Sequence, residues 1–512
     1  MPAFPDLDRL TRLYGFGRAA HSPAYLYRPT HTAEIAELFE LARATGFSIA
    51  PRGAGRSYGD AALNAGQVVL DLQRMRRVLA WDPASGIITI EPGVTIEQLW
   101  HDTVEDGWWP PVAPGTMRPT LGGCLGMNIH GKNNYHTGPV GEHVLAFDAL
   151  LPNGQTVTCT PTRHADLFFS LIGGLGLLGV FTSITLQLKR LHSGDLDVEA
   201  WAAPSLRAML DEMEPLKDEA DYLVGWVDGT ARGGGLGRGQ IHRAHYLPPG
   251  ADPRPAHTLS LDYQDLPSRL IGLAPQALLP GLMRLGANPL GVTLVNSAKY
   301  LAARAQNHHH YRQSLAAFNF LLDYVPNWQY MYGPRGLFQY QSFIPLAAAP
   351  STFKSQLALT QQRGLPNYLG VLKRHRPDRF LLSHAVDGYS LAMDFPVPGS
   401  ARGLRRLTEL THDLNHLVLE AGGRFYFAKD STLTPQAVQQ FLGEDTLARF
   451  HALKARCDPD HLLQTQLYRR LLAPGRPAAA PPAPTQPRAE QAPQPAAIHN
   501  GAPAVSGNGH SN

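Results

Sequence analysis

The stretch "RGAGRSYGD", residues 52–60, decides the fold, because a short predicted strand, "FSIAP", runs directly into it. The spacing of Gly53, Gly55 and Gly59 misses the Gly-x-Gly-x-x-Gly fingerprint of dinucleotide-binding proteins by one residue. The three glycines beside Ser57 can nevertheless present successive backbone N–H groups to an anion, in the nest geometry that holds pyrophosphates. Taken alone, the pattern is as typical of a plain turn as of a phosphate-binding loop.

A second glycine cluster, "PGTMRPTLGGCLGMNIHGKNNYHTG" at 114–138, strengthens the ligand interpretation. Its glycines allow the backbone to lie flat against a planar or phosphorylated ligand. Asn128, His130 and Lys132 place polar groups beside that surface. A metal site is the alternative, but His130, His136 and His143 are spaced by six and seven residues, unlike known zinc motifs, so we expect no metal.

A third stretch, "GLGLLG" at 174–179, spells the dinucleotide fingerprint in the wrong context. That fingerprint needs a strand before it and a helix after it, whereas here a predicted helix precedes and a predicted strand follows. We interpret it mainly as a tight helix-to-strand junction.

Hydrophobic periodicity indicates an α+β chain. Thr32 can cap a helix that ends at Gly46, and Asn153-Gly154 marks a hairpin whose two turn residues favour positive φ. From about residue 190 onward, strand-like runs separated by longer helical stretches predict an antiparallel sheet with helices on one face. The last of these runs, "RFYFAKDS", places Lys429 at a strand end.

The order of these elements resembles the FAD-binding domain of the FAD-linked oxidase superfamily, the vanillyl-alcohol oxidase or PCMH type, over roughly 32–188. Further blocks are similar to those of decaprenylphosphoryl-β-D-ribose 2'-oxidases: "IHGKNNYHTGPVGEHV", "FQYQSFIP", "VLKRH", "FYFAKDS" and "DPDHLLQTQLYRRL". This closer resemblance covers nearly everything from Tyr14 to Leu472. It implies a PCMH-type FAD-binding domain at 1–190, a substrate (cap) domain at 191–435 and a helical segment at 436–472 that returns to the FAD domain.

The resemblance also implies site residues. Those expected to bind FAD are Pro51, Arg52, Gly53, Ala54, Gly55, Arg56, Ser57, Tyr58, Gly59, Asp60, Ala61, Gly115, Thr120, Leu121, Gly122, Gly123, Met127, Asn128, Ile129, His130, Phe181 and Tyr426. Those expected on the substrate side are Gln339, Gln341, Lys373, Ser390 and Lys429. Catalytic roles fall to Lys429, His130 and Tyr58.

Two departures from the family pattern matter. Many members tether FAD through a histidine in the first loop, but this loop reads Arg56-Ser57-Tyr58, so we expect noncovalent FAD. Ser390 and Ala392 stand where the mycobacterial-type enzymes carry asparagine and cysteine, which leaves the sugar substrate open.

Several residues keep two interpretations. Lys429 stabilises the developing alkoxide or acts as base, or it pairs structurally with Asp430 or Asp394. Gln339 and Gln341 line a pocket or cap a solvent-facing sheet. Lys373 and Arg374 meet a substrate phosphate or are ordinary surface charges.

Composition sets the remaining expectations. The 45 basic residues nearly balance the 42 acidic ones, which argues against nucleic-acid binding, and three cysteines fit a reducing, cytoplasmic location. No stretch is apolar for long enough to span a bilayer, but 270–295 is either a buried or lid segment or an interfacial loop at the inner face of the membrane. The Pro- and Ala-rich tail, 473–512, is predicted to be disordered.

The sequence therefore predicts an FAD-dependent oxidoreductase that oxidises a secondary alcohol of a sugar, linked to a polyprenyl phosphate. A separate NAD(P)H-dependent short-chain ketoreductase would then complete an epimerisation. The alternatives are an alditol or aldonolactone oxidase acting on a free sugar, and a flavin-free binding protein that retains the fold.

Overall fold

A computed structural model describes residues 4–474 apart from 267–268, 271–273, 276–283, 285, 326 and 431. Twelve residues of the apolar segment 270–295, and the tail from residue 475 onward, lie outside the described residues. The α-helices are α1 (Thr32–Thr45), α2 (Ile96–His101), α3 (Leu121–Met127), α4 (Asn134–Thr137), α5 (Ala165–Leu171), α6 (Leu206–Leu216), α7 (Pro255–Thr258), α8 (Leu261–Gln264), α9 (Pro289–Ala305), α10 (Leu315–Asn319), α11 (Ala349–Gln362), α12 (Ala401–Glu420), α13 (Pro435–Leu442), α14 (Glu444–Cys457) and α15 (Gln466–Leu471).

The strands fall into sheets that divide near residue 190. They are β1 (Leu10–Tyr14), β2 (His21–Tyr27), β3 (Ile49–Arg52), β4 (Val68–Asp71), β5 (Val78–Asp82), β6 (Ile87–Ile90), β7 (Trp108–Trp109), β8 (Val144–Leu150), β9 (Thr156–Cys159), β10 (Val180–Gln187), β11 (Lys189–Arg190), β12 (Asp195–Ala203), β13 (Tyr222–Val227), β14 (Gly239–Tyr246), β15 (Arg269–Leu270), β16 (Ala274–Pro275), β17 (His309–Ser314), β18 (Leu337–Pro345), β19 (Leu369–His375), β20 (Gly388–Pro396) and β21 (Arg424–Phe425).

The N-terminal part contains two larger sheets and a two-stranded one formed by β7 and β11. In the first, of order β1-β2-β4-β3, strand β4 runs parallel to both of its neighbours, and β3 delivers the chain into the first glycine loop. The second is antiparallel, of order β5-β6-β10-β8-β9. Its β8–β9 hairpin turns at Asn153-Gly154 as predicted, although only Gly154 has a positive φ, of 85°.

Helix α1 follows the hydrophobic periodicity of its sequence. The residues it buries are Ile35, Leu38, Phe39 and Ala42, and Gly46 ends it in the left-handed conformation. The predicted cap at Thr32 is wrong, because His31 occupies the cap position and makes no side-chain bond there.

The C-terminal part is built on an antiparallel sheet of eight strands, of order β17-β12-β14-β13-β19-β20-β18-β21. Helices α6, α11 and α12 pack together on one face, where Met209 of α6 lies against Gly225 of β13. Helix α9 packs against β12 and β14, and its Lys299 lies over Trp226, a neighbour of Gly225 that points to the other face. Helices therefore lie on both faces, rather than on one as predicted.

The fold class is α+β, as the sequence predicts. The C-terminal segment packs back on the N-terminal part, since Leu463 bridges to Ile49 of β3. The buried amine of Lys454 on α14 donates to the carbonyl oxygens of Leu177 and Leu463, and it pairs with Asp458. No helix among the described residues is long and apolar enough to cross a membrane.

Candidate active site

A cavity of about 670 Å³ lies where the two glycine clusters meet the eight-stranded sheet. The N-terminal part contributes loop 51–58 and residues from the 114–132 segment to its wall. The sheet contributes alternate residues of β18, β19 and β20, which point to the same face because side chains alternate along a strand, together with residues 224–226 of β13 and His242 of β14. One side of the cavity is thus formed by glycine-rich loops, and the other side is formed by side chains of the sheet.

The first glycine loop is a backbone cradle held close to the second cluster. A Cβ on Gly53 would lie 2.0 Å from Thr120 Oγ1, and Gly55 has a φ of +64°. Thr120 Oγ1 and Arg56 Nε are buried and have no hydrogen-bond partner among the described residues. Buried polar atoms are normally paired, so these two await a ligand.

The stretch 174–179 contributes to the same cavity. Helix α5 precedes it and β10 follows, as predicted, and Leu175 N–H donates to Gly126 O at 2.9 Å. Leu175, Gly176 and Gly179 line the cavity. The junction is structural, but it is also part of the site wall.

Most of the residues predicted to bind FAD or substrate come together around this cavity. The predicted residues that line it are Pro51, Arg52, Gly53, Ala54, Gly55, Arg56, Ser57, Tyr58, Ala61, Gly115, Thr120, Gly122, Gly123, Met127, Ile129, His130, Phe181, Tyr426, Gln339, Gln341, Lys373 and Lys429. The predicted residues outside its lining are Gly59, Asp60, Leu121, Asn128 and Ser390. Asp60 pairs with Arg470, Asn128 Oδ1 accepts from the N–H of Gly141, and Ser390 bonds to His375.

Lys429 lies in a tight turn, since its N–H donates to Tyr426 O, and not at the end of a strand as predicted. Its Nζ is 3.7 Å from the centre of the Tyr58 ring. Asp430 is engaged by Arg470 at 2.7 Å, which leaves Asp394 as the carboxylate that acts on Lys429. Burial lowers the pKa of Lys429, and the charge of Asp394 only partly opposes this shift.

Asp394 completes this cluster from β20. It accepts hydrogen bonds from Gln339 Nε2 at 2.5 Å and from the Tyr332 hydroxyl at 3.4 Å. Burial raises its pKa above the ordinary range of an aspartate. A buried lysine and a buried carboxyl whose pKa values shift towards each other can hold or release a proton near neutral pH, which is typical of catalytic sites.

The cavity is lined by four lysines, Lys132, Lys299, Lys373 and Lys429, with Asp394 as the one lining carboxylate among the described residues. Burial lowers the pKa of Lys373 to about 8, and no described carboxylate pairs with its amine.

Arg374, the neighbour of Lys373 and a second candidate for a substrate phosphate, lies elsewhere. It is buried against Glu214 and Asp387, at 2.9 and 2.7 Å.

Three histidine rings pack together beside the cavity. The centre of the His130 ring is 4.8 Å from that of His375 and 5.3 Å from that of His384. Burial lowers the pKa of all three, and the neighbouring lysines and arginines add to the effect. His136 is exposed, and His143 contacts Thr137 O at 3.1 Å. The part of the chain that the structure describes holds no group of three or more potential ligands suited to a metal ion.

The polar and aromatic wall residues that sequence reasoning missed include Trp226, His242 and Lys299, and it named Asp394 only as a structural partner of Lys429. Asp394 follows Ser390 and Ala392 at the two-residue period of one strand face, so the pattern of "YSLAMDF" could have found it. The other three depend on which strands and helices meet in space, and no local signal marks them.

Comparisons with known proteins agree with this geometry. Residues 23–160 match the family model of an FAD binding domain. The chain is 29% identical over 474 residues to decaprenylphosphoryl-beta-D-ribose oxidase of Mycolicibacterium smegmatis, which covers 91% of this chain and 98% of that protein.

Two further relatives match a shorter part. Cytokinin dehydrogenase 7 of Oryza sativa subsp. japonica is 35% identical over 182 residues, about a third of each chain. An uncharacterised FAD-linked oxidoreductase of Mycobacterium tuberculosis is 31% identical over 173 residues, 32% of this chain and 38% of that protein.

The chain carries an FAD-binding domain at 23–160 and is an FAD-dependent oxidoreductase, similar to proteins of the FAD-linked oxidase superfamily. The site residues fit this cofactor, because the Gly53 cradle is too close to Thr120 for a side chain, while Thr120 Oγ1 and Arg56 Nε lack partners among the described residues. Loop 51–61 would hold the pyrophosphate through its backbone N–H groups. Bound FAD supplies an acceptor for two electrons.

Replacing Gly53 tests the cradle. In Gly53→Ala the new methyl group collides with Thr120, so we expect FAD affinity to fall by about tenfold, the effect of an overpacking strain of roughly 1–3 kcal/mol. The measurement is flavin absorbance per protein after gel filtration, followed by titration of the apoprotein with FAD. Gly399→Ala is the control, since its Cβ meets nothing within 4 Å. Equal FAD retention in both variants would contradict the assignment.

Proposed function

We propose that the protein oxidises a secondary alcohol of a sugar, a pentose joined to a polyprenyl phosphate, with noncovalently bound FAD as the electron acceptor. The full-length similarity to an oxidase of decaprenylphosphoryl-ribose supports this substrate class. The absence of histidine from Arg56-Ser57-Tyr58 supports noncovalent attachment. Acid precipitation of the purified protein tests the attachment, and a flavin that stays with the pellet would contradict it.

The observation that carries the reaction is the Lys429 amine, held between Tyr58 and the Asp394 cluster at the cavity wall. Because burial lowers its pKa, part of it is uncharged near neutral pH and can accept a proton. Bound FAD would supply the acceptor for the hydride of the carbinol carbon, and Lys429 would accept the proton of the hydroxyl group. The carbon–oxygen bond becomes a carbonyl, and the resulting ammonium remains near the carboxyl of Asp394.

Substitution of Lys429 tests this role. We expect Lys429→Ala to keep FAD but to reduce flavin bleaching by substrate under anaerobic conditions by on the order of 10²–10⁴, the usual contribution of a positioned base. In the wild type the rate should rise with pH through the lowered pKa of Lys429 and then level off, because the uncharged amine is the active form.

Two controls accompany this measurement. The exposed Lys354 gives the matched variant Lys354→Ala, which should behave like the wild type. Lys429→Arg keeps the charge but does not deprotonate, so it should lack the rising limb of the pH profile. Normal bleaching by Lys429→Ala would refute the role of the lysine as base.

The charge of the cavity supports an anionic substrate. Lys299 and Lys373 line the cavity, and their pKa values are lowered by burial only to about 8, so both amines remain largely charged at neutral pH. A substrate with negative charge would balance these two lysines. Lys299 and Leu321 both line the cavity and are exposed, which supports an opening to solvent beside them and a binding position for a substrate phosphate near Lys299 and Lys373.

A pair of substrates tests the phosphate. With a pentose joined through phosphate to a short prenyl chain, Lys373→Met and Lys299→Met should each raise KM by about tenfold or more, since loss of one charged partner costs roughly 2 kcal/mol or more. With the free pentose neither change should matter, and Lys354→Met should affect neither substrate. Faster oxidation of a free alditol than of the prenyl-phosphoryl pentose would favour the alternative of an alditol oxidase.

We further propose a cytoplasmic location with peripheral contact to a lipid surface, and helix α9, which begins within the apolar segment 270–295, supports the contact. Leu290, Leu294 and Leu301 fall on the side of α9 opposite its buried residues, and they are 79%, 72% and 59% exposed. Such a stripe would dip into the interface where a prenyl substrate resides. We expect sedimentation with anionic liposomes that is lost in a triple Leu→Ser variant; unchanged sedimentation would rule out this surface.

A partner is proposed on chemical grounds alone. Oxidation leaves a keto sugar, and inversion of the hydroxyl group needs an NAD(P)H-dependent ketoreductase acting on that product. The test is whether the keto product of this protein oxidises NAD(P)H in the presence of such an enzyme.

A further inference from the structure

A continuous row of buried polar groups leads to His130 across the sheet. His375 Nδ1 lies 2.9 Å from Asn134 Oδ1, and His375 Nε2 lies 2.8 Å from Ser390 Oγ. Gln341 Nε2 lies 3.2 Å from Ser390 Oγ and 3.3 Å from His130 Nε2. The five side chains are at most 6% exposed, so solvent does not substitute for any of these contacts.

The direction of every hydrogen bond in this row follows from its first member. Asn134 Oδ1 also accepts from the backbone N–H of Arg376 at 3.4 Å, and a backbone N–H can only donate. The atom at this position is therefore the amide oxygen, and His375 Nδ1 must donate to it. Burial and nearby cations hold the pKa of His375 well below its ordinary value, so the ring is neutral and its Nε2 is an acceptor.

The same reasoning continues to His130. The hydroxyl of Ser390 uses its one proton to donate to His375, so its oxygen accepts from the amide of Gln341. The amide nitrogen of Gln341 thereby also faces His130 and donates to His130 Nε2. The reverse orientation of Gln341 would leave Ser390 with two acceptors to satisfy and one proton.

His130 is then left with one possible protonation state. Burial and the neighbouring Lys373 hold its pKa well below the ordinary value of histidine, so the ring is neutral. With Nε2 engaged as an acceptor, the proton resides on Nδ1. That atom is buried, has no partner among the described residues, and belongs to a side chain that lines the cavity.

We propose that Asn134 and His375 are positioning residues that fix His130 as its neutral Nδ1–H form, so that it donates a hydrogen bond to the ligand that fills the cavity. The acceptor is an oxygen or ring nitrogen of the bound ligand. His130 is accordingly a donor and not the base of the reaction, which leaves the proton transfer to Lys429. Ser390 takes part as a relay and not as a residue of the cavity wall.

The test is nitrogen NMR of the full-length protein labelled with 15N-histidine, with and without FAD. Two-bond 1H–15N correlations distinguish the Nδ1–H, Nε2–H and doubly protonated forms, and loss of one signal in His130→Gln assigns it. We expect wild-type His130 to be in the Nδ1–H form from pH 8 down to pH 5. An Nε2–H or protonated His130 at pH 7 would overturn the proposal.

Variants separate the relay from simple packing. His375→Phe keeps an aromatic ring but removes both nitrogens, so His130 should become a mixture of tautomers. His375→Gln should restore the Nδ1–H form, because one amide can donate to Asn134 and accept from Ser390. His384→Phe is the matched control, since this ring packs on His130 and takes no part in the row of bonds.

The outcome does not depend on a single variant folding. If His375→Phe fails to bind FAD and is unfolded by circular dichroism, Ser390→Ala breaks the row one step later and should give the same mixture. A single Nδ1–H form of His130 in every folded variant would show that His375 does not set the tautomer.

Discussion

Arg470 holds together the two pieces of chain on which the site depends. From α15 its guanidinium donates to both oxygens of Asp60, at 2.9 and 2.8 Å, and to Asp430 at 2.7 Å. Asp60 closes the first glycine loop, and Asp430 follows Lys429. The side chain is about 10% exposed, so removal of either carboxylate would leave a buried charge without a full set of partners. The cofactor loop and the lysine turn are therefore tied to one cation, and neither can move away without that cost.

The low polarity of the site shifts the pKa values of Lys429 and Asp394, the two ionisable groups beside the loop, in opposite directions. Burial disfavours the charged form of both Lys429 and Asp394, so one pKa falls and the other rises. Gln339 and Tyr332 hold the carboxyl in place, and the ring of Tyr58 lies under the amine. Because Arg470 engages Asp430, Asp394 is the one carboxylate among the described residues that acts on Lys429, and its charge only partly opposes the effect of burial. By holding Asp430, Arg470 thus helps to keep Lys429 able to exchange a proton.

The two halves of the cavity differ in how far the sequence could predict them. The cofactor half is local: a strand that enters a glycine loop, and a second run of glycines, are visible as patterns because glycine is required wherever backbone meets backbone or ligand closely, as at Gly53. Family resemblance added the assignment to FAD, which the spacing alone did not give. Helix α1 and the β8–β9 hairpin were also predictable, because they depend on periodicity and turn chemistry within a few residues.

The substrate half depends on register between distant strands, which a single sequence does not display. Lys373 stands beside Ser390 because β19 pairs with β20, and Ser390 meets His375 for the same reason. Nothing in "VLKRH" distinguishes Lys373, which lines the cavity, from Arg374, which is buried against Glu214 and Asp387 on the other face. Lys299 enters the wall only because α9 packs against the outer strands of the sheet.

This difference between the two halves of the cavity explains why the sequence indicates the family more readily than the substrate. The family model covers 23–160, whereas Gln339, Lys373, Asp394 and Lys429 all lie outside it. Cofactor binding requires close backbone approach, which few residues besides glycine permit, so its pattern is narrow. The sheet face tolerates exchange of one polar group for another provided that hydrogen bonds are satisfied, as the row through Ser390 and His375 shows. Substrate preference can therefore change along these strands while the FAD loops remain the same, and it must be determined by the chemistry of the cavity wall.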